Sequence, residues 1–236
     1  MSASMMKVQE IIQRAASERR HNLLQPEAME VCLAYDIPIP KFEVAVSPEE
    51  AKSCAQKLGY PVALKVISPD ILHKTDVGGV LVGLSSVDSV ETGYQRIMQN
   101  VKARNPNARI LGMLVQKMAP ESTEVIVGSV NDSQFGPTIL FGLGGIFVEI
   151  LKDVAFRIAP LEEHDARAMI TEIKGYPVIM GQRGSPPVDQ DAIVNLILNT
   201  SRLVTENPQI AQMDLNPVIV YEHGALVVDA RIVLTG

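Results

Sequence analysis

Between Pro61 and Leu84 two short apolar runs, Pro61-Val62-Ala63-Leu64-Lys65-Val66 and Val80-Leu81-Val82-Gly83-Leu84, flank a polar stretch that closes on Gly78-Gly79. Runs of this length, bounded by turn residues, are too short for buried helices and read as strands. The chain is therefore expected to build a sheet here, with Lys65 as the single cation of the first strand.

The connecting stretch is Ile71-Leu72-His73-Lys74-Thr75-Asp76-Val77. A strand-borne lysine can deliver one positive charge to a phosphate. Gly78 and Gly79 would leave bare backbone amides that approach phosphate oxygens closely. A histidine ring nitrogen can accept a phosphoryl group covalently. Together Lys65, His73, Gly78 and Gly79 suggest phosphoryl transfer on a nucleotide; the plainer alternative is a loop histidine beside a tight turn.

Composition narrows the partners. The 236 residues are 47% hydrophobic and 20% charged, enough apolar material to fold throughout as one large domain or two small ones. A formal net charge of -6 argues against nucleic acid or an anionic membrane surface, both of which reward basic patches. The two cysteines, Cys32 and Cys54, have neither zinc-site nor disulfide-framework spacing, which points to a reducing, cytoplasmic setting. Runs such as Thr138-Ile139-Leu140-Phe141 are too short to span a bilayer, and the first residues read as an amphipathic helix rather than an export signal.

The order of elements predicts three parts: N-terminal helices over 1–37, a first subdomain over 38–110 carrying Lys65 and the His73 loop, and a second over 111–236. Pro38-Ile39-Pro40 ends the helical opening. Ser47-Pro48-Glu49-Glu50 reads as a capped helix start between two strands, the order of an α/β layer. From Ile110 onward short strands separated by turn residues read as an antiparallel unit, closed by helices near 162–174 and 189–206 and a hairpin turning at Glu222-His223-Gly224. A cleft between the two halves is the default ligand site.

Further residues could carry chemistry. Asn216 and Asp229 flank the hairpin, where adjacent antiparallel strands would bring both within reach of one cation; otherwise Asp214-Leu215-Asn216-Pro217 is a capped turn and Asp229 a strand-end acid. Phe141-Gly142-Leu143-Gly144-Gly145 looks like a strand entering a glycine loop, but no GxGxxG is completed and the pattern argues against dinucleotide binding. Arg157, alone in an apolar strand, could answer phosphate charge with its planar fork or form an ion pair with Asp153 or Glu149.

From Pro26-Glu27-Ala28 through the His73 loop to Val228-Asp229-Ala230-Arg231, the chain resembles the nucleotide-binding β subunit of ADP-forming acetyl-CoA (acyl-CoA) synthetases, members of the ATP-grasp superfamily related to the succinyl-CoA synthetase β subunit. The resemblance implies an ATP-grasp fold, α/β (α+β), with two subdomains enclosing a nucleotide cleft. It implies reversible conversion of acyl-CoA, ADP and phosphate to carboxylate, CoA and ATP through phosphohistidine, with His73 as the catalytic relay. It makes Lys65, Gly78, Gly79, Val80, Gln116, Lys117 and Glu124 nucleotide contacts, Gln116 and Lys117 as the adenine hinge and Glu124 as the ribose acid. Gly144, Gly145 and Glu149 fall at the phosphate end, for which Arg157 is a further candidate on its own strand context, and Asn216 and Asp229 match the Mg²⁺ ligands. The implied partner is a CoA-binding α subunit, in an α2β2 heterotetramer. An ATP-grasp carboxylate ligase without a histidine relay and a nucleotide-sensing subunit are the competing readings.

Overall fold

The computed structural model describes residues 3–145, 153–181 and 186–235. It divides into two compact units, one made of Met1–Leu23, Glu27–Ile39 and Glu121–Gly236, the other of Leu24–Pro26 and Pro40–Pro120.

The unit formed chiefly by Pro40–Pro120 is a four-stranded sheet in the order β1-β4-β2-β3, from β1 (Phe42–Ala45), β2 (Val62–Ile67), β3 (Val80–Leu84) and β4 (Gly112–Lys117). All its neighbouring pairs are antiparallel. β1 and β2 run the same way and need a crossover, supplied by α3 (Pro48–Leu58). Ser47 caps that helix by accepting a hydrogen bond from the Glu50 amide at 3.2 Å, with Pro48 in the first turn. α4 (Val87–Arg104) starts in a Ser86–Ser89 capping box. Both helices cover one sheet face, where Val62, Leu64, Val66, Met113 and Val115 join Val90, Ile97 and Val101 in a closed core.

The expected boundary at 110 does not hold, because β4 inserts between β1 and β2 and carries this unit to Pro120. Strand periodicity marks a strand; it does not say which sheet receives it.

The other unit is a six-stranded antiparallel sheet in the order β10-β8-β5-β6-β7, with β9 also paired to β8. Its strands are β5 (Thr123–Asp132), β6 (Gly136–Leu143), β7 (Val154–Ile158), β8 (Ile210–Val220), β9 (Ala225–Val227) and β10 (Ala230–Leu234). α5 (Glu163–Glu172), the short α6 (Tyr176–Ile179) and α7 (Gln190–Glu206) belong to the same unit. Asp189 caps α7 through the Ala192 amide at 2.9 Å and also accepts the Gly224 amide at 2.8 Å, tying the helix start to the β8–β9 turn.

α1 (Ala3–Ser17) and α2 (Gln25–Ala34) do not form a part of their own. Val8, Ile11, Ile12, Ala15, Val31 and Cys32 share one core with α7 and this second sheet. Arg20 and Glu27, each under a tenth exposed on the side chain, join the ends of the two helices in a bidentate pair. Among the described residues no helix is long and apolar enough to cross a membrane.

Candidate functional site

In the Pro40–Pro120 unit, strand alternation sorts the predicted residues. Leu64, Val66, Met113 and Val115 face the helices. Lys65 and Gln116 therefore share the opposite face, Lys65 in register with Leu114 on one side and Val80 on the other, and Gln116 with Ala63. Lys65 is 7% and Gln116 1% exposed. Lys117, one residue on, turns to the helix side instead. Its ammonium donates to the carbonyls of Gly59 at 3.0 Å and Tyr60 at 2.6 Å, at the C-terminus of α3, so its charge meets the end of a helix.

Gly78 and Gly79 do not leave their amides bare. The Gly78 amide donates to the Thr75 carbonyl at 2.9 Å and that of Gly79 to the Lys74 carbonyl at 2.7 Å. The two glycines are required by space and conformation. Gly78 has φ +64°, and a Cβ there would stand 2.8 Å from the Asn100 amide nitrogen; one on Gly79 would stand 2.6 Å from a Val66 methyl. They fold the loop against β2 and α4, which overturns the expectation that they cradle phosphate through their amides.

His73 is exposed on this loop, between anchored ends. Ile71 enters the core. Asp70 accepts three hydrogen bonds from Arg109, from the backbone amide at 2.8 Å and the guanidinium at 3.0 and 2.8 Å. On the other side Asn100 donates to the Gly78 carbonyl and Arg104 to that of Asp76. The loop thus presents an imidazole to solvent from a braced frame.

In the second unit Val125, Val127, Met213, Leu215, Ala230 and Ile232 face the helices. Alternation puts Glu124, Gly128, Asp214 and Arg231 on the opposite face. Asp214 stands directly across from Arg231 and from Gly128 on the other side. Between Val125 and Val127 the register with β8 slips, so that Asn216 and Pro217 together oppose Ile126. Such a bulge re-aims a side chain. The Asn216 amide donates to the Asp229 carbonyl at 3.1 Å, which places Asp229 beside Asn216 as Arg231 is placed beside Asp214.

Asp214, Asn216, Asp229 and Arg231 accordingly form a two-by-two block on one sheet face. The Asp214 carboxyl is pushed up by burial and by the neighbouring negative charge of Asp229, against the opposing effect of Arg231. Two carboxylates and an amide oxygen make a hard-oxygen donor set. Among the described residues no cluster of three or more His, Cys, Asp or Glu could cage a metal. That combination suits Mg²⁺, which takes one or two carboxylates and fills its remaining positions with water and phosphate. The capped-turn reading of Asp214-Leu215-Asn216-Pro217 gives way, since all four lie within β8. Asp214 and Arg231 are not singled out by the sequence. Their signal is the alternation Asp-Leu-Asn and Asp-Ala-Arg, legible only once both segments are known to pair.

Glu124 is exposed on β5, and Gly144 packs directly on it; Gly145 follows with φ +63°. Glu149 lies outside the described residues. Arg157 is not part of this face. It stands in register with the core residue Ile139 and pairs with Glu172 of α5, a contact that holds its charge on, rather than with Asp153; the other expected partner, Glu149, lies outside the described residues. A cavity of about 790 Å³ in the same unit is lined by residues including Glu121, Thr123, Tyr221 and His223; none of the described candidates borders it.

The ATP-grasp domain family matches residues 14–234. The chain is 46% identical over 228 residues to the β subunit of acetate–CoA ligase [ADP-forming] I from Pyrococcus furiosus, covering 97% of this chain and 98% of that one. It is 45% identical to acetate–CoA ligase [ADP-forming] I from Archaeoglobus fulgidus, covering 99% of this chain but 34% of that longer protein. Among solved structures, the acetyl-coenzyme A synthetase 1 of Ca. Korarchaeum cryptofilum, bound to coenzyme A and Ca-AMPCP, superposes with TM-score 0.94 at 48% identity, covering 96% of this chain and 99% of that one. Another structure of that enzyme holds Mg-AMPPCP, with a phosphohistidine segment pointing towards the nucleotide site.

Proposed function

The chain belongs to the ATP-grasp family as the β subunit of an ADP-forming acyl-CoA ligase, and from that premise we propose how its residues divide the reaction. The enzyme converts acyl-CoA, ADP and phosphate reversibly to carboxylate, CoA and ATP, and this chain supplies the nucleotide site. The carrying observation is the block of Asp214, Asn216, Asp229 and Arg231 on one face of a single sheet.

Asn216 and Asp229, with Asp214 beside them, would hold Mg²⁺, and Glu124 would accept hydrogen bonds from the ribose hydroxyls. A bound Mg²⁺ supplies charge neutralisation at the transferring phosphoryl group. Lys65 offers its ammonium to phosphate. β4 lies between β1 and β2, with Gln116 in register with Phe42 and Ala63 and the Lys117 amide donating to the Lys41 carbonyl at 2.9 Å, so its backbone is taken up within the sheet rather than offered to adenine as a strand edge. Gly78, Gly79 and Val80 act by shaping the His73 loop and flanking Lys65 rather than by binding phosphate. Gly144 and Gly145 set the position of Glu124. Arg157 is a structural ion pair.

His73 relays the phosphoryl group: its ring nitrogen takes phosphorus from the partner's phosphohistidine, and that bond then breaks as an ADP oxygen attacks. The relatives named as β subunits support a partner α subunit that binds CoA, and we place the chain in an α2β2 heterotetramer in the cytoplasm. Its only thiols, Cys32 and Cys54, are unpaired.

Calorimetric titration of ADP with and without Mg²⁺ tests the metal assignment, and affinity that is equal in both removes it. Steady-state acyl-CoA formation from acid, CoA and ATP tests the half-enzyme reading. Turnover is expected only with the CoA-binding partner, and robust activity of the chain alone would overturn it.

A further inference from the structure

We propose that Arg231 is a phosphate-binding residue of this site, its guanidinium taking the terminal phosphoryl group of ATP beside the cation. This inference rests on reading the Asp214 face as the nucleotide site.

Three observations carry it. First, Arg231 is held in place by its strand: Ala230 and Ile232, the residues on either side, are 4% and 0% exposed in the core, so Arg231 must project from the opposite face, directly across from Asp214. Second, its Nε is buried and has no hydrogen-bond partner among the described residues. A buried N–H without an acceptor costs stability unless something else fills it, and a guanidinium donor calls for an anion. Asp214 interacts with Arg231 electrostatically, yet no ion pair within contact distance joins them among the described residues.

Third, a phosphate complements the charge of these groups once a divalent cation is bound. Asp214, Asp229 and Arg231 together carry one net negative charge when all are ionised, and a divalent cation turns that into one net positive charge. The natural complement is an anionic group that can accept hydrogen bonds. A terminal phosphoryl group meets both requirements, since its oxygens can bind the cation and the planar fork of arginine at once. The Cβ-less Gly128, in register with Asp214 on the far side from Arg231, adds no side chain to this face.

The test is calorimetric titration of the full chain, wild type, Arg231→Lys and Arg231→Gln, with ATP and with AMP, each with Mg²⁺, alongside thermal melting of the nucleotide-free proteins. The expected result is ATP binding weakened roughly ten- to hundred-fold in Arg231→Gln, the size of a lost charge-assisted contact. AMP, which lacks the terminal phosphates, should bind all three alike. Arg231→Lys keeps the charge on a flexible stem and loses the fork, so it should fall between the two and remain folded if Arg231→Gln does not. In Arg231→Ala, added methylguanidine should restore part of the ATP affinity, which a merely structural arginine would not allow. Unchanged ATP affinity in Arg231→Gln and Arg231→Lys, or equal losses for ATP and AMP, overturns the inference while leaving the site standing. Absence of Mg²⁺-dependent ATP binding in the wild type sinks the site itself, and the inference with it.

Discussion

Gly144 donates its amide hydrogen to the Glu124 carbonyl over 2.8 Å, and a Cβ on Gly144 would lie 2.9 Å from the Glu124 Cβ and 3.1 Å from its carbonyl carbon. The backbone of β5 cannot yield to such a contact without moving the acid. Gly144→Ala should cost about 1–3 kcal/mol of stability, the usual penalty of overpacking, and should weaken ADP binding by displacing Glu124. Urea unfolding and ADP titration of the same variant check both. Wild-type values in each would show that the loop relaxes freely away from Glu124.

Lys117 separates two roles that its sequence position confounds. Its ammonium is committed to the Gly59 and Tyr60 carbonyls, while its backbone belongs to β4. Lys117→Met should therefore lose about 1–3 kcal/mol of stability, as charged hydrogen bonds to carbonyls are removed, and leave the dissociation constant for ADP within a factor of two (roughly 0.4 kcal/mol). A large loss of nucleotide affinity without a loss of stability would place the ammonium in the site after all.

The exposed His73 imidazole gives a covalent prediction. The complex incubated with labelled ATP and Mg²⁺ should carry an acid-labile, base-stable label on this chain, because phosphohistidine is a phosphoramidate. His73→Ala should remove the label and cut turnover by orders of magnitude while nucleotide affinity stays put, since a nucleophile is lost rather than a binding contact. Near-normal turnover would leave direct transfer between the partner's histidine and ADP as the mechanism.

Asp70 braces the His73 loop and should make that brace acid-sensitive. Hydrogen bonds from the Arg109 side chain and amide hold its carboxyl down to about 2, from an ordinary 3.8. A carboxyl lowered by folding adds stability above its unfolded pKa and loses it as pH falls through the folded value. The stability gap between wild type and Asp70→Asn should thus be constant from pH 8 to 5, shrink below 3.8 and vanish near 2. Urea midpoints across that range measure it, and a gap as wide at pH 2 as at pH 7 would exclude the Asp70 charge as its source.

Local chemistry makes several elements legible in the sequence. The Ser47-Pro48-Glu49-Glu50 cap, the helix opened by Ser86 and the strand carrying Lys65 each depend on neighbours within a few residues. The resemblance to the acyl-CoA ligase β subunits, too, is carried by short motifs. β10 is not legible in this way: the second strand of the hairpin reads as continuous to Asp229, whereas the chain breaks at Val228-Asp229 and pairs again from Ala230.

What the sequence determined by itself is most of the strands and helices, the family, and the residue types available for phosphate, metal and phosphoryl chemistry. Only the tertiary structure decided which of them can act together. Neighbouring residues on a strand point to opposite faces, so Gln116 joined Lys65 while Lys117 turned to the end of α3, and Arg157 was drawn to Glu172. Asp214 met Arg231 because β8 and β10, 15 residues apart from Leu215 to Ala230, pair in one register and not the next. A shift by one residue would bury that charge among Met213, Leu215 and Ile232, and burying it there would cost more than the core could return.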